Sequence, residues 1–140
     1  MNYWDHAPTR DEVLDKIYEF LRLLSLNEPA EAEKRVRVGS MSKFRDALHY
    51  HIADYMVMVF EDTEFMGLPD DFSISISDPA EMDENHINPR FSGNLLTLEN
   101  GETIDVNVGF EKEVIPISIR FMVYQMEDNF YLNLMKVERV

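Results

Sequence analysis

Residues 115–138 read IPISIRFMVYQMEDNFYLNLMKVE, and this stretch decides the fold. Apolar and polar side chains alternate with period 2 on both sides of Glu127-Asp128-Asn129, the pattern of two half-buried strands joined by a tight turn. With Asp128-Asn129 as the turn, Val123 faces Leu134 and Gln125 faces Leu132. Ile117, Ile119, Phe121 and Val123 then share a core face with Leu132 and Leu134. Ser118, Arg120, Met122 and Tyr124 lie on the opposite face beside Asn133, Met135 and Val137. Pro116 lacks an N–H donor, so it belongs on an edge or at a strand start.

Working back from this hairpin, Thr103–Val108 is a further strand. Asn100-Gly101, a favoured type I′ pair, joins it to Leu95–Leu98 in a second hairpin. Phe72, Ile74 and Ile76 alternate with Ser73, Ser75 and Ser77 as another half-buried strand. Asp78–Arg90, bracketed by Pro79 and Pro89, is an irregular acidic loop.

Before residue 60 the period is helical. Thr9 and Glu12 have capping-box spacing, and Val13, Ile17, Phe20, Leu21 and Leu24 form one apolar stripe, predicting a helix from Thr9 to about Leu26. Asn27 and Pro29 predict a short helix near Glu28–Arg35. Ser40 or Ser42 caps a third helix, with Phe44, Leu48, Ile52, Tyr55, Met56 and Val59 on one face up to about Phe60. Helices followed by antiparallel strands give an α+β domain: N-terminal helices packed on a curved, mainly antiparallel sheet with a long C-terminal hairpin. The chain is read as a single domain over 1–140, with an arm at 1–8, a helical part at 9–60 and a mainly β part at 70–140.

Composition narrows the function. The chain of 140 residues carries 13 Lys and Arg against 27 Asp and Glu, a formal charge of −14. That balance argues against a nucleic-acid backbone binder, which needs clustered cations, and against docking on anionic membranes. With 0 Cys, disulfides, thiolate catalysis and Cys-ligated metals are excluded. No run approaches the ~18–20 apolar residues of a membrane span, and the start lacks a basic region followed by an apolar core. The expected setting is cytoplasmic.

Catalytic and metal motifs fail one by one. His49 and His51 are i and i+2 on a helix and point about 200° apart, so they cannot chelate one metal. His51 and Asp54 are the only plausible acid–base pair. There is no G-x-S-x-G. The acidic loops miss the calcium pattern: a frame from Asp78 puts Asp83 at position six and Pro89 at position twelve, and one from Asp62 ends on Ser73. No cofactor is expected.

The charge is uneven. Residues 46–89 hold 11 acids and no Lys or Arg, while Lys34, Arg35, Arg37, Lys43 and Arg45 cluster just before. An acidic field of this kind keeps a protein soluble and also steers basic partners. The candidate contact residues are Glu61, Asp62, Glu64, Asp70, Asp71, Glu81, Asp83 and Glu84. The expected function is a non-enzymatic protein-binding module, monomeric or homodimeric, that docks a basic partner.

Small, acidic, Cys-free α+β chains of this kind resemble bacterial immunity proteins, which neutralise a cognate toxin by covering its active site or a partner surface. The element order across residues 9–138 also resembles the NTF2-like cone fold, in which a sheet wraps helices around a cavity. That resemblance implies a competing small-ligand-binding or enzymatic reading, with Tyr55, Met56, Phe121, Tyr124, Met126 and Tyr131 as lining beside His51 and Asp54.

Overall fold

The computed structural model describes residues 3–38, 47–48, 50–55, 76–110 and 113–140. Helix α1 spans Arg10–Ser25 and opens with the full capping box: the Glu12 amide donates to Thr9 Oγ1 at 3.2 Å, and the Thr9 amide donates to Glu12 Oε1 at 3.1 Å. Two of the four orphan amides at the helix start are thereby satisfied. The predicted stripe of Val13, Ile17, Phe20, Leu21 and Leu24 is buried.

Asn27 ends α1 rather than starting α2. Its φ of 59° turns the chain so that its own amide donates to the Leu24 carbonyl and the Glu28 amide to the Leu23 carbonyl, which closes the helix C-terminus in a Schellman motif. Helix α2 is then only Pro29–Glu33, entered through Glu28, whose side chain makes no capping bond. Residues 50–55 are helical, α3, and bury Ile52, and residues 47–48 are helical as well, with Leu48 buried. The predicted cap at Ser40 or Ser42 and the residues from Met56 to Phe60 lie outside the described residues.

The stretch read as an irregular loop is ordered into a 3-10 turn, Pro79–Glu81, and a one-turn helix α4, Glu84–Ile87. Of the strand predicted at Phe72–Ser77, residues 72–75 lie outside the described residues. Ile76 and Ser77 are not in a strand, although the Ser77 amide donates to the Gly109 carbonyl.

Strands β1 (Tyr3–Trp4), β2 (Arg90–Phe91), β3 (Thr103–Phe110), β4 (Glu113–Met126) and β5 (Asn129–Arg139) form an antiparallel sheet in the order β1-β5-β4-β3-β2. The β3 partner is therefore β2, not Leu95–Leu98. Leu98 instead donates its amide to the Pro8 carbonyl, and the Leu96 carbonyl accepts from the Arg10 amide, so this segment braces the start of α1. Glu99–Glu102 is a β-turn with φ of +93° at Gly101 alone, the type II form and not the expected I′.

The long β4–β5 hairpin turns at Glu127-Asp128, one residue earlier than expected, and Met126 pairs with Asn129. Val123 therefore lies opposite Leu132, Gln125 opposite Phe130, and Leu134 opposite Phe121. The offset is two residues along the partner strand, so the inward face is preserved. A bulge then breaks the alternation: Phe121 opposes Leu134 but Arg120 opposes Lys136, leaving Met135 as an extra residue. Val137 consequently sits opposite Ile119 and is buried, on the core face rather than the opposite one. A second irregularity carries Pro116. Asn107 opposes Ser118 while Val108 opposes Ile115, so this proline occupies a break in a central strand, where no ladder donor is needed on that side.

Helix α1 covers the core face, where Ile104, Val106, Ile117, Ile119 and Leu132 are fully enclosed. The outer edge of β5 is short of open positions. Tyr3 and Trp4 pair with Tyr131 and Phe130, and Arg37 follows in parallel, donating its amide to the Leu132 carbonyl and accepting from the Leu134 amide, both at 2.8 Å. Covering an edge in this way removes a template for unwanted strand pairing.

Candidate partner-binding site

The 79–87 segment is held in place by its own capping chemistry. Asp78 accepts from the Ala80 amide at 2.9 Å and so starts the 3-10 turn, with Pro79 supplying a preset φ. Asp83 accepts from the His86 amide at 2.9 Å and from His86 Nδ1 at 2.6 Å, starting α4. The His86 amide, and then the His86 ring, hold the Asp83 carboxyl below the usual carboxylate range. These aspartates are thus both turn-formers and surface charges.

Between them the segment presents Met82 and Ile87, which are buried against the sheet end. Met82 lies directly over Gly109 of β3, where a Cβ would collide with its sulfur. This close approach is why glycine stands there. Across from Met82 and Ile87, α1 turns Tyr18, Glu19 and Arg22 toward the segment, and a groove of about 580 Å³ opens between the two walls. Pro79, Ala80, Met82 and Ile87 give it an apolar lining, and Asp78, Glu19 and Arg22 stand among them. Glu19 Oε1 lies 2.7 Å from Arg35 Nε, an ion pair without hydrogen-bond alignment, since that nitrogen has no hydrogen-bond partner.

Of the acids expected to bind a partner, Glu81 and Asp83 belong to the 79–87 segment and are exposed, beside the groove rather than among its lining residues, and Glu84 belongs to α4. Glu61, Asp62, Glu64, Asp70 and Asp71 lie outside the described residues. The acid that does line the groove from this segment, Asp78, was not among the candidates. Tyr18, Glu19, Arg22, Met82 and Ile87 were missed as well. The available signal was two apolar residues inside an acidic stretch, each with an Asp nearby to cap a turn.

The lining expected for a cone cavity does not converge. Phe121 is fully buried on the core face, where it meets Phe20, whereas Tyr124 and Tyr131 pair on the other face of the sheet. Met126 is exposed at the hairpin end, and Met56 lies outside the described residues. Asp54 bonds to Arg139 at 2.6 Å, while His51 contacts the Tyr50 ring, so they form no acid–base pair. Among the described residues no group of His, Asp and Glu is arranged to hold a metal ion.

The second face of the sheet carries a row of charges directly opposite one another on four strands, Arg90, Asp105, Arg120 and Lys136. Arg120 grips Asp105 with two bonds of 2.8 and 3.0 Å, and Asp105 raises its pKa. Arg90 donates to Asn107 and Ser118, and Arg37 stacks over Tyr124 at 5.0 Å. The groove beside the 79–87 segment and this cation-bearing face are different surfaces of one molecule. No helix among the described residues is long and apolar enough to cross a membrane. Compared with protein-family models, with curated proteins and with solved structures, the chain matches none.

Proposed function

We propose that the protein is a non-enzymatic binding module that receives a basic protein partner on its acidic surface, most concretely as an immunity or inhibitor protein that neutralises a toxin. The observation that carries this reading is the groove between α1 and the 79–87 segment, with a mainly apolar lining that includes Glu19 and Asp78 and with the exposed carboxylates of Glu81 and Asp83 on the segment beside it. An apolar recess fixes a partner's side chain, and surrounding charge selects the partner and speeds encounter. The formal charge of −14 adds long-range attraction for a cationic surface.

The test uses the full chain as bait for a basic partner, followed by titration of that partner at two salt concentrations. Association should weaken with salt, and Glu81→Lys with Asp83→Lys should weaken it by roughly 10-fold or more, in line with the loss of close charge pairs. Binding indifferent to both changes would remove the acidic-surface mechanism. The groove's volume also lies within the range of small-ligand pockets, roughly 300–1,000 Å³, which supports a second reading as a small-ligand-binding domain. Saturable ligand binding lost in Ala80→Trp but retained in the charge reversals would favour it.

A further inference from the structure

The N-terminal arm is attached to the domain through one histidine that touches two carboxylates. His6 Nδ1 lies 2.8 Å from Asp5 Oδ1, and His6 Nε2 lies 3.1 and 3.0 Å from the two Glu12 oxygens. An ionised carboxylate only accepts hydrogen bonds, and a neutral imidazole carries one N–H. Both contacts are made at once only when both ring nitrogens are protonated. The geometry is therefore that of an imidazolium between two carboxylates.

Each neighbour ties His6 to a different part of the fold. Glu12 is the reciprocal member of the α1 capping box, its Oε1 already accepting from the Thr9 amide. Asp5 directly follows β1, whose Tyr3 and Trp4 cover the β5 edge at Tyr131 and Phe130. We propose that His6 is a proton-dependent clasp, fastening β1 and its cover of the β5 edge to the start of α1 when protonated and releasing them when neutral.

The charges facing the ring are Asp5 from the arm and Glu12 from α1. Of the cations near the start of α1, Lys16 lies 5.5 Å over the Trp4 ring, and Arg10 donates to the Leu95 and Gly93 carbonyls. From β5, the positions opposite β1 are Tyr131 and Phe130, which carry no charge near neutral pH. The hydrogen bond to Asp5, then that to Glu12, raises the His6 pKa. A raised pKa means that the stabilising contacts are present below the unfolded value and are lost as pH rises through the folded one. Tyr3 against the Tyr131 ring and Trp4 against the core add apolar contact to the two paired residues, and the His6 contacts add the part of the docking that changes with protonation.

Trp4 is the 1 tryptophan of the chain and lies within β1, so its fluorescence reports the arm alone. The experiment follows Trp4 emission and acrylamide quenching of the full chain from pH 5 to 9. A single transition is expected, centred above the ordinary histidine value of about 6.5, with Trp4 more quenched on the alkaline side. His6→Gln should abolish the transition, and Glu12→Gln should shift its midpoint downward. His86→Asn, which alters the other His–Asp contact, should leave it unchanged. A transition that survives in His6→Gln, or Trp4 quenching that is flat across the range in the parent, would overturn the clasp. Far-UV circular dichroism confirms that each variant is folded. Partner binding plays no part in this readout, so the clasp stands or falls independently of the proposed function.

Discussion

Phe20 of α1 meets Phe121 of β4 edge-on, with ring centroids 5.5 Å apart and planes at 87°. Both rings are fully buried, so this contact joins the helix to the middle of the sheet. Edge-to-face pairs add about 0.5–1.5 kcal/mol beyond their area burial. Phe121→Ala should cost about 3–5 kcal/mol, and Phe20→Leu, which keeps most of the volume but loses the ring pairing, clearly less. Urea unfolding of the two variants measures both. A Phe20→Leu variant as stable as the parent would mean that the ring geometry contributes nothing specific.

The two faces of β5 should respond oppositely to substitution. Leu134 is buried opposite Phe121, and Leu134→Ala should cost about 2–5 kcal/mol by leaving a cavity. Asn133, its neighbour on the other face, has a buried Oδ1 without a hydrogen-bond partner. Removing an unsatisfied buried polar atom relieves a desolvation cost, so Asn133→Leu should lie within about 1 kcal/mol of the parent or be more stable. The same denaturant series checks this, and a large loss in Asn133→Leu would show that the amide serves a role its static contacts do not show.

Acid should loosen the start of α1 first. The Thr9 amide, and then His6, hold the Glu12 carboxyl below the usual carboxylate range. A depressed folded-state pKa gives stability that is present above the unfolded value and lost as pH falls through the folded one. Thr9→Ala should cost about 0.5–2 kcal/mol at neutral pH, and Glu12→Gln should flatten the acid limb of stability against pH. Thermal unfolding at closely spaced pH values between 3 and 7 reads the slope. An acid limb as steep in Glu12→Gln as in the parent would assign it to other carboxylates.

The groove depends on a missing side chain. A Cβ at position 109 would collide with Met82, so Gly109→Ala should displace Met82 from the wall at about 1–3 kcal/mol of strain. Adding Met82→Ala should restore part of that loss, giving a favourable coupling in the double-mutant cycle. Simple additivity would show that the two positions do not press on one another.

Legibility in the sequence followed how local each cause was. The Thr9–Glu12 box and the Val13–Leu24 stripe are short-range signals, and they hold residue for residue. The hairpin faces were legible from alternation, but its register was not, because a two-residue loop at Glu127-Asp128 and one at Asp128-Asn129 preserve the same faces. Asn27 misled because the same residue type serves as an N-cap and as a left-handed helix terminator. Val137 changed face through the bulge at Met135, which leaves no mark on an alternating sequence. The groove was hidden for a different reason. Tyr18, Glu19 and Arg22 lie outside the buried stripe of α1 and acquire neighbours only when the distant 79–87 segment packs beside them.

The bulge at Met135 makes β5 the rare strand that tolerates a change in residue count. Shortening most strands by one residue would turn every later side chain inside out. Here the loss of Met135 would leave Leu134 beside Phe121 and Lys136 beside Arg120, the register they already have, with Val137 still inward. A one-residue deletion at that position is frame-neutral for the sheet, whereas deleting Asn133 would send Leu132 and Leu134 to opposite sides.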